Sequence, residues 1–243
     1  MSVRLSPRKH KVDDLLRSRG IFSRSTRTLL LLISLRALGA QSPNAPADTK
    51  TLADAVDAHY NHLHSLEAQF TELYRGSGME RNESGTLWLK KPGKMRWEYR
   101  SPKEKLFVSD GKVAWFYVPD DRQARKMAAK KLEDVRSPLA FLLGKAKLEK
   151  ELQGLSPAPD VSPLAAGDTV IRGVPGALAN QISEIVLEIT PEHQISRIIL
   201  EEVDGSTTEY RFTEQKEDVP VADKQFEFRP PAGTETVEDL NGP

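Results

Sequence analysis

Apolar residues recur at helical spacing in one segment near the start of the chain. The pattern predicts a helix from about Lys50 to His64, preceded by Asp48 or Thr49 as a capping residue. Its apolar stripe is made of Leu52, Ala55, Val56, His59, Tyr60 and Leu63. The preceding Pro/Ser/Asn-rich stretch, residues 41–50 at its widest, predicts a linker.

From residue 68 onward the period changes to two, which is typical of half-buried strands. Met95, Trp97 and Tyr99 share one face of such a strand, with charged residues between them. Charged residues 120–131 instead predict a solvated loop. The strands predicted on this basis are 85–91, 95–100, 105–108, 113–118, 169–174, 182–190, 195–203, 207–215 and, last, 226–228.

Consecutive strands with short links and no intervening helix predict an antiparallel meander. A sheet of roughly nine to eleven strands curls, because neighbouring strands twist relative to one another. The segment Ser137–Gly144 combines a capping Ser, a Pro in the first turn and a final Gly, which predicts a short helix. It is apolar almost all round, so we expect it to be buried or to cover an apolar surface.

The first forty residues have the parts of a secretory signal peptide: a basic region, the apolar run Leu29–Leu35, and small residues up to Ala40. The run is too short to span a bilayer, and the alternative is a disordered basic tail. Because no Cys follows it, we expect no lipid anchor and a mature chain that begins near Gln41. The predicted organisation is a leader (1–40), a linker (41–50), one domain (51–238) and a tail (239–243).

Charge and cysteine content exclude several classes of protein. Of 35 basic and 35 acidic residues, nine and two lie in 1–40, which leaves 26 and 33, a formal −7, for 41–243. A nucleic-acid binder usually has a basic surplus in its folded part. The complete lack of Cys excludes disulfides, thiolate metal sites and a cysteine nucleophile.

Motifs for catalysis are not recognisable. His59 and His62 lie one helical turn apart, but no third ligand follows at a characteristic metal-site spacing. The chain has no Gly-x-Ser-x-Gly elbow and no glycine-rich phosphate loop. We therefore predict a protein that is not an enzyme and uses no metal or cofactor.

All three tryptophans, Trp88, Trp97 and Trp115, lie within residues 85–118. This aromatic loading has two interpretations. It can form an ordinary packed core, or it can line a cavity for an apolar ligand, because a wide curled sheet cannot always fill its own interior.

Several segments, in this order, resemble the LolA family of periplasmic lipoprotein carriers. They are 85–99 (GTLWLKKPGKMRWEY), 108–112, 115–119, the 137–144 helix and 226–233 (FEFRPPAG), within a resemblance that spans about Thr51 to Val237. The resemblance implies an α+β, mainly antiparallel fold: an unclosed half β-barrel with a helical lid. It also implies a monomeric periplasmic carrier that takes acylated lipoproteins from an inner-membrane ABC transporter to an outer-membrane acceptor.

The resemblance also implies roles for individual residues. Lys91 replaces an Arg that holds the lid closed in other family members, so we expect a less directional latch. On the strand 113–118 both alternate sets are apolar, and family analogy favours Trp115 and Tyr117 for the cavity. Alternatives are a related lipid-sensing or acceptor module on the same half-barrel and, further off, a lipid hydrolase. The expected acyl-chain cavity is Leu87, Leu89, Met95, Trp97, Tyr99, Trp115 and Tyr117, and the expected lid is Leu139, Phe141, Leu142 and Leu143.

Overall fold

The computed structural model describes residues 48–129, 142 and 147–238. The leader (1–40), most of the linker, the tail (239–243) and the lid helix except Leu142 lie outside these residues. The described helices are α1 (Thr49–His62) and α2 (Leu148–Glu151), with a 3₁₀ turn at Asp223–Phe226. The strands are β1 (Ser65–Gly76), β2 (Met79–Lys90), β3 (Lys94–Ser101), β4 (Lys105–Asp110), β5 (Val113–Val118), β6 (Gln123–Ala128), β7 (Leu152–Pro157), β8 (Thr169–Pro175), β9 (Ile182–Ile189), β10 (Ile195–Glu202), β11 (Thr207–Glu217) and β12 (Glu235–Glu238).

The strands form one twelve-stranded sheet in the order β12-β6-β5-β4-β3-β2-β1-β11-β10-β9-β8-β7. All neighbours are antiparallel except β12 and β6. Within the described chain, the end strands β12 and β7 do not pair with each other, so the barrel is unclosed. The fold class predicted from the sequence, mainly antiparallel β in an open sheet, is confirmed.

The pairing register fixes which side chains share a face. Leu87 lies opposite Trp97, and Trp97 lies opposite Phe107. Facing residues of antiparallel strands point to the same side. This side, which we call the concave face, carries the main hydrophobic cluster of the molecule.

Gly85 allows β2 and β3 to approach closely where it lies opposite Tyr99. A Cβ at this position would lie 1.9 Å from the Glu98 carbonyl oxygen. The register of the two strands shifts between Ser84 and Gly85. A bulge that needs a glycine increases the local bend and twist of the sheet.

Two sequence predictions of local structure are wrong. Residues 123–128, predicted as loop, form β6, because they pair along β5 and bury Ala124 completely, while Arg125 stays exposed. The predicted strand 226–228 is the end of the 3₁₀ turn and an extended stretch. Phe226 does not pair with another strand, because it packs against the opposite side of the sheet, which we call the convex face.

Candidate functional site

The concave face is apolar over most of its width. Leu87, Leu89 and Trp97 are almost completely buried there, and Met95 and Tyr99 are half-buried and pack against the same cluster. Phe70 contacts Trp97 edge-on, with ring centroids 4.7 Å apart. These five predicted cavity residues therefore lie on one continuous surface.

Trp115 and Tyr117 do not lie on this surface, so their predicted facing is wrong. The register places Trp115 opposite Val108, and Phe116 opposite the concave residue Phe107. Both rings pack instead against Phe228 on the convex face, with centroid distances of 5.6 and 5.3 Å. Periodicity could not decide this point, because both alternate sets of β5 are apolar. The strand register decides the facing, because Trp97 pairs with Phe107 and Phe107 pairs with Phe116.

Helix α1 covers part of the concave face. Four of its residues are buried in the main cluster: Leu52, Ala53, Val56 and Tyr60. The Tyr60 hydroxyl oxygen accepts a 2.9 Å hydrogen bond from the buried Ile195 amide of β10. Burial raises the pKa of the Tyr60 phenol, so this hydroxyl stays neutral. Sequence reasoning predicted α1 and most of its buried stripe, but it missed Ala53 and included Ala55 and His59, which are only half-buried. It did not predict that the stripe would cover the concave face.

Leu142 is the one predicted lid residue within the described chain. It is 4% exposed and belongs to the main cluster. Leu139, Phe141 and Leu143 lie outside the described residues. Leu142 borders a small hollow that encloses about 10 Å³. The other residues that line it are Leu63, His64, Ser65, Leu66, Leu89, Lys90 and Lys91.

Lys91 binds the C-terminal end of α1. Its Nζ donates to the carbonyl oxygens of Tyr60 at 2.5 Å and Asn61 at 3.1 Å. The last carbonyls of a helix have no partner within the helix, and a cation there also favours the helix dipole. Burial lowers the pKa of the Lys91 ammonium, although Asp218 partly opposes this shift.

One end of the concave face is polar. The Tyr99 hydroxyl donates to Glu72 at 2.8 Å, and Lys105 Nζ donates to Glu83 at 2.5 Å. Glu72 and Glu83 are 8% and 5% exposed. Burial raises the pKa of the Glu72 carboxyl, and the Tyr99 hydrogen bond opposes part of the shift. The apolar wall therefore ends in a buried, hydrogen-bonded cluster of charges.

The two histidines one turn apart on α1 have separate partners. His59 Nε2 lies 2.8 Å from Glu217 Oε1, and the His62 ring donates from Nδ1 to the Ala58 carbonyl at 2.6 Å. Among the described residues, no group of three or more His, Asp or Glu side chains is arranged to hold a metal ion. In the same part of the chain, no helix is both long enough and apolar enough to cross a membrane.

The chain matches known proteins over most of its length. Residues 61–229 match the family described as outer membrane lipoprotein carrier protein LolA. The outer-membrane lipoprotein carrier protein of Chromobacterium violaceum is 30% identical over 196 residues, which cover 79% of this chain and 90% of that protein. The protein of the same name from Proteus mirabilis is 27% identical over 216 residues, 88% of this chain and 98% of that protein.

Among solved structures, a LolA superfamily protein from Nitrosomonas europaea aligns with 75% of this chain and 99% of its own, at 10% identity and a TM-score of 0.42. The family assignment depends on the sequence matches, which extend from the last turns of α1 to the segment that follows the 3₁₀ turn. The resemblance seen in the sequence is thereby confirmed, and the chain belongs to the LolA family of outer-membrane lipoprotein carriers.

Proposed function

We propose that this protein is a periplasmic carrier that holds the acyl chains of lipoproteins on its concave face. In this role it receives them from an inner-membrane ABC transporter and delivers them to the outer membrane. One observation carries the proposal: in the described chain, the apolar concave face is covered by helix α1 and by Leu142, and every strand belongs to the one sheet. A helix that lies on the face of a sheet can be withdrawn without breaking any strand pairing.

The free energy of acyl chains in water requires a cover that shields them and can also be withdrawn. Each exposed CH₂ costs about 0.8 kcal/mol in water, so several chains cannot cross an aqueous compartment without shielding. A rigid, deep pocket would hold them too tightly for release. When the cover and the cargo compete for one apolar surface, the net affinity is only the difference between the two interactions.

For this surface we propose the roles expected from the family resemblance, without Trp115 and Tyr117, which lie on the convex face. The proposed wall is Leu87, Leu89, Met95, Trp97 and Tyr99, and the proposed lid is Leu142 with Leu139, Phe141 and Leu143. The predicted contact of Lys91 with the lid stays a prediction. Because Lys91 donates two hydrogen bonds to the end of α1, we propose that it also latches this helix as part of the cover. The hollow beside Leu142 encloses only about 10 Å³, far less than typical ligand pockets of about 300–1,000 Å³, so loading requires the cover to move.

The leader and the partners complete the proposal. Residues 1–40 would direct export, after which the chain would act as a monomer in the periplasm. Its cargo would be acylated lipoproteins, its donor the lipoprotein-releasing transporter, and its acceptor a component of the outer membrane. An apolar surface that recognises alkyl chains needs no cofactor.

The experiment is to purify the exported protein from cells and to identify co-purifying material by mass spectrometry. In parallel, the binding of a synthetic triacylated lipopeptide is compared with that of the same peptide without acyl chains. The carrier proposal expects bound acylated material and binding of the lipopeptide alone. A protein that emerges without lipid, ignores the lipopeptide and hydrolyses an ester substrate would overturn it.

Two methionine variants locate the site. Met95→Gln places an amide on the concave face and should weaken lipopeptide binding, because the amide loses water without gaining a partner. Met79 lies at the β1–β2 turn and is 65% exposed. Met79→Gln makes the same chemical change there, and should leave binding unchanged.

A further inference from the structure

The indole N–H of Trp97 is a buried donor without a partner. Trp97 is 2% exposed, and its Nε1 finds no hydrogen-bond acceptor among the described residues. Its ring is packed against Phe70, and against Tyr210 and Phe212 at 5.9 and 6.2 Å between centroids. Leaving a buried donor unsatisfied is costly, whereas a Phe here would fill a similar space without that cost.

Trp88, on the neighbouring strand β2, has a partner for its indole N–H. Trp88 lies on the convex face, and its Nε1 donates to Glu67 Oε2 at 3.0 Å. At the polar end of the concave face, Glu72 accepts from Tyr99 and Glu83 from Lys105, and neither carboxylate accepts from Trp97. The unpartnered N–H is therefore confined to the face on which we propose that cargo lies.

Along β3, the concave face changes from apolar to polar at Trp97. On one side are Met95 and the hollow beside Leu142, and on the other are Tyr99 and the Glu72 carboxylate. Successive residues on one face of a strand are about 6.6 Å apart, so the change from apolar to polar occurs within a few atoms of the indole. An amphiphile on this wall would place its chains over the apolar part and its polar junction beside Trp97.

We propose that the Trp97 indole N–H donates a hydrogen bond to the carbonyl oxygen of an ester-linked acyl chain of the cargo. This inference rests on the proposed function and adds a direction to it: the linkage end of the lipid lies at Trp97, and the chain ends run toward Leu142. Alkyl chains offer no hydrogen bonds, so the ester is the first acceptor that such a ligand brings to this wall. The bond forms only in the loaded state, and it therefore favours loading over closure.

The test compares two ligands and two variants. The ligands are a diacylglyceryl lipopeptide with two ester-linked chains and its dialkyl ether counterpart, which lacks the carbonyl oxygens. Trp97→Phe trims the wall for both ligands, and should weaken binding of the ester ligand about two- to twelvefold more than binding of the ether ligand, the range of one net hydrogen bond. Trp88→Phe removes an indole N–H on the convex face, and should change neither affinity.

A second measurement does not depend on the variant folding. In the wild-type protein, the ¹⁵N-labelled indole N–H resonance of Trp97 should move further downfield with the ester ligand than with the ether ligand, because only the ester carbonyl accepts a hydrogen bond. The inference is overturned if both ligands shift this resonance equally, or if Trp97→Phe weakens both ligands equally or neither. If the wild-type protein binds neither ligand better than the unlipidated peptide, the carrier proposal itself fails.

Discussion

Lys91 directly follows strand β2. Its single ammonium group donates hydrogen bonds to two of the last carbonyls of α1. Lys91→Leu removes both hydrogen bonds and leaves these carbonyls without a partner. We expect a loss of about 1–2 kcal/mol in the free energy of unfolding and faster exchange of the amide hydrogens of α1. Urea denaturation and hydrogen exchange measure the two effects, and cargo release should slow, because a weakened cover competes less well with the cargo for the concave face.

The neighbouring Lys90 provides a matched control. Its ammonium donates to Asp223 and to the Val221 carbonyl, so it holds the C-terminal segment on the convex face. Lys90→Leu should loosen that segment without altering exchange in α1 or the release of cargo. Equal effects of the two variants on α1 would remove Lys91 from the latch.

Glu72 gives a prediction on pH. Burial raises the pKa of its carboxyl in the folded protein above the ordinary value of 4.5. The folded state therefore binds this proton more readily than the unfolded state does, and the associated stability is present at low pH and lost as pH rises through the folded pKa. Glu72→Gln should consequently gain stability relative to the wild type as pH rises above about 4.5, measured by urea denaturation.

Glu67 lies on the other face of the same strand and should respond in the opposite sense. Hydrogen bonds from Lys216 and Trp88 lower the pKa of its carboxyl. Its contribution is present above the unfolded pKa and lost as pH falls through the folded one, so Glu67→Gln should lose stability relative to the wild type as pH rises over that range. Parallel pH profiles for the two variants would contradict the assignment of both carboxyls.

At the residue scale, the sequence predicts a facing wherever only one alternate set is apolar. Met95, Trp97 and Tyr99 alternate with charged residues, and the structure places them on one face as expected. For Trp115 and Tyr117 both sets are apolar, so only the register across β4 can decide. The partners of Lys91 depend on where the end of α1 lies, which no local pattern encodes.

At the scale of elements, α1 and the cargo should compete for the concave face. Val56 is 1% exposed between α1 and the sheet. Val56→Ala removes two methyl groups from this contact, and should cost about 1–3 kcal/mol of stability. Because the cover is weakened and the wall is not, the affinity for a triacylated lipopeptide should rise, by up to about tenfold for 1.4 kcal/mol.

Val108 separates this effect from general destabilisation. It is also 1% exposed, but it belongs to the cluster on the convex face with Val221 and Phe226. Val108→Ala should lower stability by a similar amount and leave lipopeptide affinity unchanged. If both variants bind more tightly, softening of the whole domain, and not release of α1, explains the gain.

Alternation and turn signals predicted the strands from β2 to β5 and from β8 to β11, although in β5 both faces are apolar. It missed β6, because the basic residues Arg125 and Lys126 give the strand a polar composition, and its buried Ala124 carries little hydrophobic signal. The 226–228 segment was predicted as a strand because its composition suits one, yet strand formation also requires a free sheet edge beside it. Phe226 instead fills the convex cluster.

At the scale of the whole molecule, the open sheet explains why one face needs a removable cover. In the described chain the sheet ends at β7 and β12 without closing, so its strands cannot surround their own interior. The sequence could predict the curl and the apolar surplus, because both follow from strand number and composition. It could not predict which part of the apolar surface is filled by α1 and which by strand side chains, because this depends on long-range packing.

Loading should therefore slow hydrogen exchange in the sheet and speed it in α1. When acyl chains occupy the concave face, the amides of β3 should exchange more slowly, because a ligand bound only to the folded state stabilises it. The amides of α1 should exchange faster, because the contacts of Val56 and Tyr60 with the sheet are given up to the cargo. Hydrogen exchange of the empty and lipopeptide-loaded protein measures both. Slower exchange in α1 as well as β3 would mean that α1 is a fixed wall of the site, and that competition between cover and cargo is not how the carrier releases its load.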